Sequence, residues 1–397
     1  MATDAYLERG VASRKLEVAA AVSKLDPGLY PGAFCKILAD LLGGRADHCG
    51  IMHNDGPGTK ILVAYILWRK TLNLDFWRGP VRDGMVMNID DLICVGALGP
   101  YFISLSINRN KHLISGDVID VIIDETNAFC KFMTSLGIEC HYAAGDTADV
   151  GDNTRTINID YTFSTAMKRS EVIDASRITN PGWIVGFYSA GRAKWETETN
   201  SGVGANGLTS ARHDLLNKTY KTAYKETYAP ETRADLIYRG KYLLEDPLRM
   251  DRSWTVGQAL SSPTRTYAPL VKEILRVIPR EKIYAFIHCS GGGQTKIGNF
   301  GRKGLKYFKN DLFPPPAIFR ELRLAGNLSL ERACQTYNMG HRLEMVAADM
   351  ETAEDSIKIS KSMGIDAKIV GPVLQNTNPS VTNVYIQSGD EWASYDF

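Results

Sequence analysis

Asn54-Asp55-Gly56-Pro57-Gly58-Thr59-Lys60 is the most informative stretch of this chain, and it directly precedes an apolar run at residues 61–67. Its glycines free backbone N–H groups to curl around an anion, while Lys60 adds a positive charge and Thr59 a hydroxyl. Asp55 is the type of oxygen ligand that holds Mg²⁺ beside a nucleotide phosphate. Only one residue separates the two glycines, so the stretch is not a Walker A loop. Taken alone, the stretch is more simply interpreted as a Gly-Pro turn. The other motifs of the sequence decide between this turn and an anion site.

The bulk composition is that of an ordinary globular protein. The chain has 397 residues, of which 44% are hydrophobic and 23% charged, and its formal net charge is +1. This length allows two or three domains, and the balanced charge argues against a polyanion partner or a membrane surface. No apolar run reaches the roughly 18–20 residues that span a bilayer, and the charged N-terminus is unlike a signal peptide. The seven cysteines form no CxxC pair, so we expect reduced thiols and a cytoplasmic location.

The chain divides at a polar stretch near its middle. Residues 156–163 alternate apolar and polar side chains, which predicts a strand. Residues 167–182 are polar and end in Pro-Gly, and a new strand pattern begins at Trp183. We therefore expect an N-terminal domain over residues 1–175 and a C-terminal domain over residues 176–397. The polar, tyrosine-rich residues 213–250 are typical of an insertion or a peripheral helical segment.

Acidic residues form the second informative group. Asp83 and Asp91 are eight residues apart, a little over two helical turns, so both can face the same side of a helix. Residues 144–152 place three further acids, including Asp146, among small residues. Mg²⁺ uses one or two such carboxylates together with phosphate oxygens. The alternative is that each acid is a solvated cap or turn residue.

Two glycine-rich loops mark the second half of the chain. Residues 202–210 (GVGANGLTS) precede a helical pattern, and a glycine-rich turn at a helix N-terminus is an anion site. Residues 288–295 (HCSGGGQT) directly follow the strand pattern of residues 284–287, where glycines let a phosphate approach the backbone. A capped helix start and a flexible turn explain the two loops equally well. Together with the acids, they indicate an enzyme that joins ATP to a phosphorylated substrate.

In this order, the motifs resemble those of the phosphoribosylformylglycinamidine cyclo-ligase (aminoimidazole ribonucleotide synthetase) family. Residues 54–60 resemble its DGxGTK loop, residues 83–92 its acidic helix, and residues 145–149 its GGETAEM loop. Residues 202–212 resemble SGxHSNGYSLxR, residues 288–293 match HITGGG closely, and residues 338–340 match a late N-M-G turn. Six ordered blocks over roughly residues 50–350 are far more specific than any one of them.

The chain departs from the family pattern at four positions. Ala144 replaces the first glycine of GGET, and Asp146 replaces its glutamate while keeping a carboxylate. Asp90 stands where the family usually has asparagine. Gly204 stands where the family usually has histidine, so any substrate contact of that histidine is lost or moved, with His213 as a nearby replacement.

The resemblance implies a two-domain fold of the α+β / α/β class. The N-terminal domain would form a β-barrel with a second subunit at a homodimer interface, and a C-terminal α/β domain would pack against it. ATP would bind near the interface and formylglycinamidine ribonucleotide in the cleft between the domains. The implied reaction is the ATP-dependent closure of the imidazole ring in de novo purine biosynthesis, through phosphorylation of the formamide oxygen. The implied cofactors are ATP and Mg²⁺, and no nucleic acid or membrane partner is expected.

The resemblance also assigns roles to individual residues. The catalytic residues would be Lys60, Asp91 and His288. The ATP-binding residues would be Lys24, Asp55, Gly56, Gly58, Thr59, Lys60, Asp83, Asp91, Gly145, Asp146 and Thr147. The substrate-binding residues would be Asn206, Gly207, Ser290, Gly291, Gly292 and Gly293. The Mg²⁺ ligands would be Asp55, Asp91 and Asp146.

Two other functions stay open at this point. One is another ATP-using member of the superfamily, such as thiamine-monophosphate kinase, selenophosphate synthetase or the hydrogenase maturation dehydratase. Selenophosphate synthetase is disfavoured because no cysteine lies in the first 34 residues. The other is a catalytically silent paralogue that binds nucleotide, an interpretation that the departures at Ala144 and Gly204 favour.

Overall fold

A computed structural model describes residues 5–12 and 16–397 of the chain. The helices are α1 (Ala5–Glu8), α2 (Leu16–Val22), α3 (Ile61–Thr71), α4 (Arg78–Ile93), α5 (Gly116–Ser135), α6 (Leu208–Leu215), α7 (Thr219–Ala223), α8 (Val256–Ser261), α9 (Ala268–Val277), α10 (Ala317–Gly326), α11 (Leu330–Thr336) and α12 (Met350–Ser362). The strands are β1 (Ile37–Ala39), β2 (His48–Asp55), β3 (Tyr101–Arg109), β4 (Cys140–Asp149), β5 (Ile157–Lys168), β6 (Gly182–Tyr188), β7 (Ile283–His288), β8 (Leu305–Lys309), β9 (His341–Ala347), β10 (Ala367–Gln375), β11 (Asn383–Ser388) and β12 (Glu391–Asp396). Among these described helices, none combines the length and the apolar character needed to cross a membrane.

The first sheet has five strands in the order β1-β2-β5-β3-β4, all drawn from the first half of the chain. Its pairs are antiparallel except for β3 and β4, which run parallel. The predicted strand at residues 156–163 is confirmed as part of β5. Alternate residues of β3 and β5 are buried, because one face of the sheet is covered by α4 and α5.

The opposite face of this sheet is exposed. Met52 on β2 and Phe102 on β3 are 68% and 57% exposed, and Phe102 stacks on His141 of β4 at 5.6 Å between ring centroids. Within one chain the sheet is open, with β1 and β4 at its edges. The barrel expected from the family resemblance requires a second chain and stays a prediction.

The second sheet has seven strands in the order β12-β11-β8-β10-β6-β9-β7. It is mainly antiparallel, and β8 with β11 is the one parallel pair among the described strands. Helix α12 packs on β6, β9 and β10, and every residue of β9 is buried. Two sheets with helices packed on them confirm the predicted combination of α and β structure. The domain limits 1–175 and 176–397 remain a prediction, although β5 ends at Lys168 and β6 begins at Gly182.

Helix α4 lies between the two halves of the molecule. It contacts β2 and β5 of the first sheet and also α9 and β7 of the second half. Its buried residues go all around the helix, as expected for a helix enclosed by protein. Gly84 allows the close approach, because a Cβ there would lie 2.9 Å from the Tyr161 ring and 3.1 Å from Pro57. The acidic residues of α4 are therefore held at the junction of the two halves.

Residues 213–250, predicted as an insertion or a peripheral helical segment, contain the end of α6, helix α7 and two short 3-10 turns, joined by irregular structure. The segment is anchored by buried tyrosines, since Tyr220 and Tyr238 are 3% and 0% exposed. The Tyr238 hydroxyl accepts a hydrogen bond from Arg212 of α6 at 2.7 Å. The segment is thus a packed part of the second half.

A buried ion pair ties the second sheet together and gives a stability test. Lys309 and Glu344 pair with both side chains fully buried, and His341 lies 2.7 Å from the same carboxylate oxygen. We expect Lys309→Met to lower the free energy of unfolding by about 3–5 kcal/mol, because it leaves a buried carboxylate without its cation. Adding Glu344→Leu should recover much of this loss. Melting temperatures of the single and double variants test this, and equal losses would contradict it.

Candidate active site

The predicted catalytic acid Asp91 lies between two histidines. His53 Nε2, on β2, is 3.1 Å from Asp91 Oδ2, and His288 Nδ1, at the end of β7, is 2.5 Å from Asp91 Oδ1. Both carboxylate oxygens are therefore engaged by imidazole nitrogens. Asp91 is the last acid of α4, so the helix brings it to the ends of strands from both sheets.

The protonation of His288 follows from its partners. Its ring is fully buried, and its Nε2 is hydrogen-bonded to the Arg342 guanidinium. A guanidinium only donates, so Nε2 accepts, and Nδ1 carries the proton that is donated to Asp91. Arg342 is held in turn by Asp90 at 2.8 Å. His288 is thus a neutral hydrogen-bond donor fixed in one tautomer.

His53 has the opposite character. Its Nδ1 is 2.9 Å from Asn88 Oδ1, and the Asn88 amide nitrogen donates to the carbonyls of Asp55 and Gly84. Because Asn88 Oδ1 and Asp91 are both acceptors, both ring nitrogens of His53 donate, so the ring is an imidazolium. Burial alone would lower the pKa of His53, but the hydrogen bond and charge of Asp91 outweigh it and raise the pKa to about 8.

The two acids beside these histidines titrate differently. Burial would raise the pKa of Asp91, but its interactions with His288 and His53 hold that pKa well below its usual range. Desolvation and the charge of Asp91 raise the pKa of Asp55, against the hydrogen bond from the Gly56 backbone. The negative charge is therefore concentrated on Asp91, with a cation beside it.

Lys60 and Asp83, both predicted to contact ATP, lie in the interior. Lys60 is 1% exposed and donates to Asp83 at 2.8 Å and to the Ser262 carbonyl at 2.5 Å. Asp83 is fully buried and also accepts from the backbone N–H of Thr264 at 2.8 Å. Burial lowers the pKa of Lys60, although Asp83 opposes the shift. In this structure the Lys60–Asp83 pair links the DGPGTK loop to residues 262–264. Contact of either residue with ATP stays a prediction.

Asp90 is anchored by the same part of the chain. It accepts hydrogen bonds from the Thr266 hydroxyl at 2.9 Å and from the Tyr267 backbone N–H at 3.1 Å. Arg342 donates both to Asp90 and to the Arg265 carbonyl. Residues 262–267, which we call the anchor segment, thus hold both buried acids of α4.

The predicted glycine loops meet across the two halves of the molecule. Thr59 of the first loop shares a hydrogen bond with Thr209 at the start of α6, at 2.8 Å between hydroxyl oxygens. Gly58 adopts a φ of +54°, which favours glycine. At Gly56 a Cβ would collide with the Ile159 carbonyl, so the loop lies directly on β5. These contacts place the DGPGTK loop beside the start of α6.

The predicted substrate residues are also brought together. A Cβ at Gly291 would lie 4.0 Å from the Asn206 amide nitrogen, so residues 206–207 and 290–293 form one surface. Asn206 Oδ1 is buried and has no hydrogen-bond partner among the described residues, which leaves it free to accept from a ligand. Gly292 and Gly293 have φ values of +90° and +52°. Asn338 holds the neighbouring loop through the Gly202 carbonyl at 2.9 Å.

The three predicted Mg²⁺ ligands do not converge. Asp55 on β2 pairs with Tyr161, which pairs with Leu105, which pairs with Gly145 beside Asp146. Three strand spacings separate the two acids by about 14 Å. In the described parts of the chain, no group of three or more His, Cys, Asp or Glu residues is placed to hold a metal ion. Since both oxygens of Asp91 are engaged, the three acids do not fit a Mg²⁺ cage, and no step is derived through one.

Other predicted ATP residues lie apart from this centre. Gly145, Asp146 and Thr147 are exposed on the edge strand β4, and Lys24 is exposed just beyond α2. Their roles toward ATP stay predictions.

Sequence reasoning missed several residues of the site. These are His53, Asn88 and Arg342, which surround Asp91 and His288, together with the anchor segment. Arg342 is the second residue after the N-M-G turn, and His53 lies two residues before Asp55, yet neither position alone indicated a role. Gly204 has a φ of +69°, and a Cβ there would lie 3.2 Å from Arg342. A histidine at this position would therefore crowd Arg342.

Removing the charge of Asp91 should change the titration of His53. In Asp91→Asn we expect the pKa of His53 to fall from about 8 toward its usual value of 6.5. Because the folded pKa is the higher one, protonated His53 stabilises the wild-type fold below pH 6.5, and this contribution is lost as the pH rises through 8. NMR titration of the ring signals measures this, with His141 as the internal control. An unchanged His53 pKa would contradict the assigned pairing.

Comparison with known proteins shows what this chain is similar to. Residues 39–166 match the family model described as AIR synthase related protein, N-terminal domain. The chain is 27% identical over 354 residues to a phosphoribosylformylglycinamidine cyclo-ligase of Methanococcus vannielii, covering 85% of this chain and 83% of that protein. It is 25% identical over 352 residues to the protein of the same name from Methanocaldococcus jannaschii, covering 87% and 85%.

Solved structures agree with this at the level of the fold. The chain matches T. maritima PurL complexed with FGAR with a TM-score of 0.52 at 12% identity, covering 98% of this chain and 53% of that chain. The chain thus spans about half the length of that protein. It also matches a structure of the HypE–HypF complex with a TM-score of 0.55 at 12% identity, covering 97% and 99%. The predicted resemblance is therefore confirmed: residues 39–166 match the AIR synthase related N-terminal domain, and the chain is similar along most of its length to phosphoribosylformylglycinamidine cyclo-ligases.

Proposed function

We propose that this protein catalyses the ATP-dependent closure of formylglycinamidine ribonucleotide to aminoimidazole ribonucleotide. The similarity to cyclo-ligases over 85% of the chain carries the proposal. The site supports it, because the DGPGTK loop, Asp91, the His288 loop and the Asn206 loop meet at the junction of the two halves.

The reaction needs an activated leaving group. ATP transfers its γ-phosphoryl group to the formamide oxygen and leaves as ADP. The amidine nitrogen then forms a bond to the formyl carbon and loses a proton, and the C–O bond breaks to release phosphate. The protein mainly supplies position and charge for such steps. The imidazolium of His53 is a fixed positive charge beside the cleft, and Asp91 holds that charge in place while it accepts a hydrogen bond from His288.

The substrate contacts follow from the loops. Gly291 and Gly292 directly precede a short helical turn that begins at Gly293, so their backbone N–H groups suit the ribose phosphate, whereas the Gly293 N–H donates to the Ser290 carbonyl. The unpaired Asn206 Oδ1 suits an N–H or O–H donor of the ribonucleotide. Thr59 and Gly58 lie on the other side of the junction, where we place the ATP phosphates.

Mg²⁺ enters this proposal only as the ion that accompanies ATP. Asp55 is exposed, its Oδ2 makes no hydrogen bond to the described residues, and it belongs to the DGPGTK loop, whereas Asp146 is exposed on the far edge strand β4. Phosphate oxygens would complete the coordination of such an ion. Asp91 is already engaged by two histidines and holds their positions and the charge of His53 instead.

A catalytically silent paralogue is the second candidate. Two observations favour it: both oxygens of Asp91 are engaged, and Gly204 stands in place of the family's histidine. Such a protein would bind ATP without releasing ADP when the ribonucleotide is added.

ADP release by the purified protein with Mg²⁺-ATP, with and without formylglycinamidine ribonucleotide, separates the two candidates. We expect release that depends on the ribonucleotide and an aminoimidazole product. In Asp91→Asn the kcat should fall by about 10²–10³-fold, because the variant loses the charge that keeps His53 protonated beside the cleft, and this loss should far exceed the loss of folding stability. Asp152→Asn, on an exposed turn, is the control. Parallel losses of activity and melting temperature in Asp91→Asn would contradict the catalytic role.

We further propose that the exposed face of the first sheet pairs with a second copy to form a homodimer. This face carries Phe102, 57% exposed, and Met52, 68% exposed, which a partner chain would cover. Phe102→Asp should convert a dimer to a monomer in sedimentation velocity, because it places a charge in the interface. Leu324→Asp, a similar change at an exposed leucine of α10, should leave the dimer intact. A dimer that persists in Phe102→Asp would refute this interface.

A further inference from the structure

A second cavity lies at the junction of the two halves, on the other side of the anchor segment. Its volume is about 320 Å³, within the range of small-molecule sites. Helices α4 and α5 form one wall, residues 195–200 form another, and residues 262–266 form the floor. None of the residues assigned to ATP or to the ribonucleotide lines it.

The walls of this cavity are aromatic and contain unused donors. Phe129 and Phe132 of α5 lie 5.8 Å apart between ring centroids, and Trp195 lies in the neighbouring loop wall. Trp195 Nε1 is buried and has no hydrogen-bond partner among the described residues. Arg82 uses its Nε for Glu125 at 2.6 Å, and its terminal nitrogens make no hydrogen bond to the described residues. An occupant therefore needs a planar body and hydrogen-bond acceptors.

Four of the five charged side chains of the lining are already paired, and the fifth, Glu198, is exposed and forms no ion pair with the described residues. Glu125 accepts from both Arg82 and Arg78, at 2.6 and 2.9 Å. Arg265 is paired with Glu196 at 2.6 Å. A strongly charged ligand would have to break one of these pairs, so a neutral molecule fits better.

The anchor segment, which forms the floor of the cavity, also holds the buried acids of α4 at the active site. On its inner side the anchor segment binds Lys60 through the Ser262 carbonyl and Asp83 through Thr264. It also binds Asp90 through Thr266, and Asp90 precedes the catalytic Asp91. A ligand that presses on residues 262–266 therefore acts on the helix that carries Asp91. By linkage, ATP binding at the site would change the affinity of the cavity by the same factor.

We propose that this cavity binds a neutral, planar heteroaromatic molecule whose acceptors meet Trp195 Nε1 and Arg82, and that its occupancy is transmitted to the active site through the anchor segment. The binding part does not depend on the proposed function.

Binding is tested with caffeine and quinoline, two neutral planar probes with acceptors, by saturation-transfer NMR on the full chain. We expect the wild type to bind. Trp195→Phe keeps an aromatic ring but removes the indole N–H, so it should weaken the binding of both probes about fivefold. Ala128→Trp, at an exposed position of α5 that lines the cavity, should fill it and abolish binding. Trp392→Phe, in β12, is the matched control and should bind as the wild type does.

Two results would overturn the site: no binding of either probe to the wild type, or binding that Ala128→Trp leaves intact. Transmission is measured by hydrogen exchange at the backbone amides of Thr264 and Tyr267, which donate to Asp83 and Asp90. We expect severalfold slower exchange with the probe bound, and unchanged exchange at both amides would refute the transmission. Exchange needs no turnover, so this outcome is independent of whether the ring-closure reaction is observed.

Discussion

The burial of two carboxylates on α4 is the constraint on which the arrangement of the two halves depends. Asp83 and Asp90 are both fully buried, and the anchor segment supplies hydrogen bonds to each. A buried charge without partners costs several kcal/mol, so α4 and the anchor segment are held in one relative position. This fixed position brings Asp91, the next residue, to His288 at the end of β7. The site is therefore a consequence of how the helix is anchored.

Charge at the site is organised around Asp91. The acid carries the negative charge, neutral His288 donates to one oxygen, and the imidazolium of His53 donates to the other. Asp55 is the exposed acid of the DGPGTK loop itself. The anchor segment also has a second side, which links this chemistry to a cavity that shares none of its assigned ligand residues.

Much of the fold was predictable because its signals are local. Strict alternation at residues 156–163 identified β5, and the polar stretch at residues 167–182 lies between the two sheets. Glycine loops were recognisable because few other residues adopt positive φ, as at Gly58, Gly292 and Gly293. The sequence could not show that two of the predicted Mg²⁺ ligands, Asp55 and Asp146, lie apart. Their order in the chain does not reveal that two strands separate β2 from β4.

By itself the sequence determined the order of the loops, the positions of the acids and glycines, the resemblance to cyclo-ligases and the mixture of α and β structure. Only the tertiary structure decided which of these residues meet. Asp91 and His288 are 197 positions apart in the chain, and Asp90 and Arg342 are 252 apart. Local periodicity records which face of an element is apolar, but it does not record which distant element covers that face. The partners of Asp91, and hence its charge and that of His53, arise only when the two sheets pack around α4.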